Sequence, residues 1–178
     1  MEEKQNSLSM HSIIYGVGTG IALIVLSLVL YVTNLYMNEV LRYAAYVILI
    51  AGMVIAALQY RKNQLKGFMT YGQAFSVSFL TGLFATIVSI IFFFFYLKYI
   101  NIGLIDEIMT QVRTKMEAKA GNMSQEQMDQ AMMWTERFMT PVWMIVWGFL
   151  AYAFWSAIFA LVIGIFVRKK NPDAPTMI

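Results

Sequence analysis

The sequence predicts an all-α, polytopic membrane protein with four transmembrane helices, and two observations carry that reading. Of its 178 residues, 60% are hydrophobic and 13% charged, whereas soluble domains run about 45–50% apolar and about 25% charged. The excess is concentrated in four long blocks whose interiors hold no Asp, Glu, Lys, Arg or His, Arg42 standing at the edge of the second. One soluble core of this size cannot hide four such blocks, but a bilayer can.

Span one is placed at about 12–33, closed by Tyr31 and Asn34-Leu35-Tyr36, and span two at about 40–60, stopped by Arg61-Lys62. Span three covers about 72–97 and ends in Phe92-Phe93-Phe94-Phe95-Tyr96 before Lys98. Span four, about 142–167, follows the N-cap and first-turn pair Thr140-Pro141 and stops at Arg168-Lys169-Lys170. Each meets the length of about 20 residues that a hydrocarbon core about 30 Å thick requires. The start, Met1-Glu2-Glu3-Lys4, lacks the basic region of a signal peptide, so the first block reads as a retained span.

Lys and Arg set the orientation. Lys4, Arg61, Lys62, Lys66, Arg168, Lys169 and Lys170 fall on one side, clustered at span ends. Arg42, Lys98, Arg113, Lys115, Lys119 and Arg137 fall on the other, diluted among acidic residues. The positive-inside rule then puts both termini and the 61–71 loop in the cytoplasm. Tyr15, Tyr60 and Tyr71 inside and Tyr36, Tyr43, Tyr99 and Trp143 outside make the aromatic belts. Trp155, at mid-span, is expected to be buried.

Between spans three and four, about 98–140, the pattern changes to an amphipathic helical hairpin outside the cytoplasm. Ile105, Ile108, Met109, Val112 and Met116 share one helical face. Gly121-Asn122 breaks the pattern, Ser124 with Gln127 reads as a capping box, and Met128, Ala131, Met132, Thr135, Phe138 and Met139 form a second stripe. Two helices joined by a short turn make an αα-hairpin. Ile105, Met109, Val112, Met128, Met132, Trp134 and Phe138 are its candidate interaction face, for a protein partner or a second copy. The tail 171–178, with two prolines, reads as disordered.

Chemistry is sparse. Without cysteine there is no disulfide or zinc–thiolate site, and without ionisable groups inside the spans there is no proton relay of the usual kind. Small residues at four-residue spacing, namely Gly16 and Gly20, Gly52 and Ala56, Ser78, Gly82 and Thr86, and Ala160 and Gly164, mark helix-packing positions. Fourteen methionines raise the question of a Cu(I) site. No His or Cys accompanies those of the hairpin, and Met ordinarily fills irregular apolar surfaces, so no metal, cofactor or catalytic residue is assigned. His11 reads as an interfacial residue, Asn122-Met123-Ser124 as a chance sequon, and no nucleic-acid-reading pattern is present. The basic clusters suit membrane lipids.

The basic stop after span two, the run Lys66-Gly67-Phe68-Met69-Thr70-Tyr71-Gly72-Gln73-Ala74-Phe75, the aromatic end Phe95-Tyr96-Leu97-Lys98-Tyr99-Ile100 and the long helical loop before span four together resemble a known family. It is the bacterial membrane-protein family catalogued as domain of unknown function forty-one ninety-nine. The resemblance implies a bacterial inner membrane and brings no activity, cofactor or site residue with it. The residues favour a non-enzymatic membrane scaffold or interaction protein displaying the hairpin. The rival is a small oligomeric transporter or channel-like protein with Ser78, Thr81, Thr86 and Ser89 along a polar path.

The topology is open to thiol labelling, since the chain has no native cysteine. In right-side-out membranes, an impermeant maleimide should modify Asn122→Cys and leave Asn63→Cys untouched. The opposite pattern would invert the orientation.

Overall fold

The computed structural model describes residues 2–119 and 124–169. They form α1 (Glu2–Val32), α2 (Glu39–Asn63), α3 (Tyr71–Phe95), a π-helical turn (Tyr96–Ile100), α4 (Leu104–Lys119), α5 (Gln125–Phe138) and α6 (Pro141–Val167). The only β-type pairing among the described residues is one antiparallel bridge, Met69 with Lys169. Among the described residues, four stretches are long and apolar enough to cross a bilayer: Ser7–Val32, Tyr43–Asn63, Tyr71–Ile100 and Pro141–Val167. The tail 171–178 and the turn Gly121-Asn122 lie outside the described residues.

Helix α1 starts ten residues before the expected span, because nothing from Glu2 to His11 breaks a helix, and Leu8 packs on the core. At 1.5 Å per residue its 31 residues measure about 46 Å, longer than the hydrocarbon core. It ends in a Schellman arrangement around Asn34, which takes φ 55°. The Leu35 amide donates to Leu30 O at 2.8 Å and the Asn34 amide to Tyr31 O at 3.0 Å. Asn38 then caps α2, its Oδ1 accepting from the amides of Val40 and Leu41. A reciprocal box between Thr70 and Gln73 starts α3. Positive φ at Lys66 and Gly67 turns the chain between α2 and α3.

The chain divides into two compact units, Met1–Ser89 with Ala151–Ile178, and Ile90–Leu150. In the first, Leu49, Met53, Ala56, Ala57, Val77, Ala85 and Ala160 are fully buried. Small residues set how closely its helices approach. A Cβ on Gly82 of α3 would sit 2.7 Å from Ser156 Oγ on α6 and 3.3 Å from Met53 Sδ on α2. One on Gly16 would lie 2.9 Å from Thr81 O, one on Gly20 2.8 Å from Val88, and one on Gly164 2.9 Å from the Tyr71 ring. On Gly52 it would collide with the Thr19 side chain. Ser78 and Thr86 are buried on the Gly82 side of α3.

The C-terminal end of α6 is held to the α2–α3 loop. Arg61 Nη1 donates to Val167 O at 2.8 Å, and Met69 and Lys169 exchange backbone hydrogen bonds at 2.8 and 2.9 Å. A carbonyl left over at a helix C-terminus is thus satisfied by a guanidinium.

Two aromatic expectations are corrected here. Trp155 is 41% exposed. The buried side of α6 is made by Ser156, Ala160, Ile163, Gly164 and Val167, and a residue next to Ser156 is turned about 100° away from that side. Trp155 instead stacks on Phe159 and meets Tyr46 edge-on, while Tyr46 stacks on Tyr152. Tyr60, assigned to the belt, is buried at 2% exposure, and His11 sits against it at 5.1 Å. His11 Nε2 is 3.0 Å from Ala56 O. A carbonyl can only accept, so that nitrogen carries the hydrogen, and His11 is a packing donor within the bundle.

Replacing Gly82 with Leu should lower the melting temperature in detergent by about 5 °C or more, since overpacking costs about 1–3 kcal/mol. Gly18→Leu is the control, because a Cβ there meets nothing within 4 Å. Equal melting of the two variants would remove Gly82 from the packing scheme.

Candidate interaction site on the hairpin

Helices α4 and α5 pack against each other within the second unit. Asp106 and Glu107 in the first turn of α4 favour its start electrostatically. The capping box at Ser124 is formed: Gln127 N donates to Ser124 Oγ at 3.3 Å, and Ser124 N to Gln127 Oε1 at 3.1 Å. The C-cap Met139 amide bonds back to Thr135 O and Glu136 O. Two residues, Met139 and Thr140, separate α5 from α6.

Between the helices lies an open groove of about 340 Å³, lined by Ile105, Asp106, Met109, Thr110, Arg113, Met132, Glu136 and Met139. Its walls mix three flexible thioethers with two carboxylates and one guanidinium. Arg113 Nε also donates to Glu117 Oε1 at 3.1 Å, one turn along α4. With both partners more than half exposed, this pair steers geometry more than it stabilises.

The seven residues proposed as one interaction face divide into separate groups. Ile105, Met109 and Met132 line the groove. Val112 is half-buried, and Met128 is buried. Trp134 and Phe138 remain 54% and 45% exposed on a different flank of α5. Phe138, placed by sequence both in the second stripe and on the interaction face, is exposed beside Trp134, on which it stacks at 6.4 Å. The sequence reading also passed over Asp106, Thr110, Arg113 and Glu136 as groove residues, whereas Met139 of its second stripe does line the groove. Spacing shows which residues share a helix face, but not which flanks of two helices face each other.

Introducing a charge at half-buried Val112 tests the hairpin as a packed element. Val112→Asp should speed amide exchange across 104–138 by about tenfold or more, equivalent to about 1.4 kcal/mol, while α1 to α3 stay protected. Unchanged exchange would show that Val112 has no packed neighbour.

Comparison with known proteins adds one assignment. A family model described as "Protein of unknown function (DUF4199)" matches residues 14–169. No curated protein and no solved structure matches the chain. The match takes in all four apolar helices and the hairpin, and by that extent the chain belongs to the DUF4199 family of uncharacterised function.

Proposed function

We propose that this chain is a non-enzymatic scaffold of the bacterial inner membrane, with both termini cytoplasmic and the α4–α5 hairpin offered on the outer side to a protein partner. The observation that carries this reading is the groove between α4 and α5. Its four apolar side chains, three of them Met, suit adaptable contact with a partner's apolar residue. Asp106 and Glu136 beside them suit a basic neighbour of that residue. The partner is therefore an amphipathic segment with a Lys or Arg flanking its apolar anchor. Against catalysis stands the lack of carboxylates inside the spans, where membrane enzymes and coupled transporters hold reactive groups, while His11, near the start of the first span, is engaged with Ala56 O.

A second reading, a small oligomeric transporter or channel-like protein, has one observation in its favour. The hydroxyls of Ser78, Thr81, Ser89 and Ser156 are buried without a hydrogen-bond partner among the described residues. A buried hydroxyl without a partner costs about 1–3 kcal/mol, which a polar solute passing the helices would offset.

Site-specific photocrosslinking in intact cells separates the two. A photoreactive residue at Thr110 or Glu136 should give a discrete adduct that is absent from Gln111 and Gln130 and is lost with Asp106→Lys. Absence of any groove-specific adduct overturns the scaffold. Solute flux into proteoliposomes that falls with Thr81→Val would decide for the transporter.

A further inference from the structure

Helix α5 carries more apolar surface than α4 can cover. At about 100° per residue, the arc from Trp134 through Phe138, Ala131, Met128 and Met139 to Met132 spans about 160°. A stripe facing one neighbour needs about 100°. The Met132–Met139 edge lines the groove shared with α4. The Trp134–Phe138 edge is left exposed.

That edge does not end with α5. Trp134 stacks on Phe138 at 6.4 Å, and Phe138 meets Trp143 of α6 edge-on at 6.0 Å, across the two-residue junction. Trp143, Trp147 and Leu150 then continue as an exposed line down α6, which is one of the four helices long and apolar enough to span a bilayer. The outer line of a span meets lipid, so the same surface runs from lipid onto the flank of α5. Arg137 stands 5.9 Å over the Trp134 ring, a cation at the outer edge of the ladder. The other root of the hairpin repeats the pattern: Phe95 stacks on Tyr99 at 6.2 Å, with Lys98 Nζ 5.4 Å over the Tyr99 ring. Aromatic rings with a long basic side chain beside them are what the membrane–water interface selects.

We propose that the Trp134–Phe138 flank of α5 lies in the headgroup region of the bilayer, so that the hairpin rests on the membrane along α5 and turns the groove away from lipid. An amphipathic helix held this way sinks its apolar side about 5–10 Å into the headgroup–acyl boundary. The inference concerns lipid contact alone and stands on either side of the membrane, whatever the groove binds.

The full chain, free of native cysteine, is labelled with a nitroxide at Trp134→Cys, Phe138→Cys, Asp129→Cys or Trp147→Cys and reconstituted in vesicles of phosphatidylcholine and phosphatidylglycerol. The ratio of oxygen to nickel-chelate accessibility at 134 and 138 should exceed that at 129 by about threefold or more and stay below that at 147, as intermediate depth requires. It should not change with the lipid-to-protein ratio. Ratios at 134 and 138 equal to that at 129 place the flank in water and overturn the proposal. Shielding from both reagents, or spin–spin broadening that grows with protein density, puts a protein surface there instead and overturns it equally. A second measurement keeps both rings of the ladder's outer end: the variant W143F/W147F/W155F retains Trp134 alone. Its fluorescence should be quenched by lipids brominated near the headgroup more than by lipids brominated near the chain end. No quenching by either lipid refutes the interface position.

Discussion

Apolar helices gain nothing by leaving lipid for one another, so in a bilayer they are held by close van der Waals contact, and the smallest residues at each crossing decide how close that is. The first unit depends on this constraint at Gly82. With no Cβ there, α3 comes near enough to α6 for Ser156 Oγ to stand where a side chain would begin, and near enough to α2 for Met53 to close the contact. Gly16 and Gly20 admit α1 to the opposite flank of the same helix, against the carbonyls of Thr81 and Ala85. Large aromatics are displaced from these crossings to the flanks, which is why Tyr46, Tyr152, Trp155 and Phe159 gather into a cluster of rings.

The same low dielectric governs the polar groups. Thr19 and Thr86 return their hydroxyl hydrogens to carbonyls four residues back, Tyr15 O and Gly82 O, each at 2.8 Å. This is the local solution open to a hydroxyl on a helix without water. At the end of α6, Arg61 and the Met69–Lys169 bridge satisfy backbone groups with partners remote in sequence. They bind the loop before α3 to the segment that leaves α6. The cations that the positive-inside rule counts as topology signals are therefore also structural ties, and Lys169 adds a contact over the Phe68 ring.

The hairpin is built from a more polar composition. Its helices carry many charges, and short helices of this kind are marginal alone. They persist by covering each other and whatever apolar surface adjoins them. One edge of α5 makes a mixed groove with α4, and the other joins a ladder of rings leading into α6. A single amphipathic helix thus offers two unlike surfaces, one a groove of mixed polarity and one an exposed run of rings.

Much of this could be read directly. The four spans follow from uninterrupted apolar length, and the Ser124 box from a cap residue with Gln three positions on, both being local properties of the chain. Four-residue spacing marks Gly82 and Gly164 as small positions on a helix face, and the family was legible in span-edge motifs. Spacing is blind to which helix each face meets. It gave no means of matching Gly82 with Ser156 or Gly52 with Thr19, of sending Tyr60 inward and Trp155 outward, or of linking Arg61 to Val167. It also merged the groove and the Trp134–Phe138 flank into one face, because 160° of apolar arc looks continuous until a second helix covers part of it. Sequence by itself determined what each segment could bury, since that depends on local composition and period. Only the tertiary structure decided against what, since that depends on helices far apart in the chain competing for the same contacts.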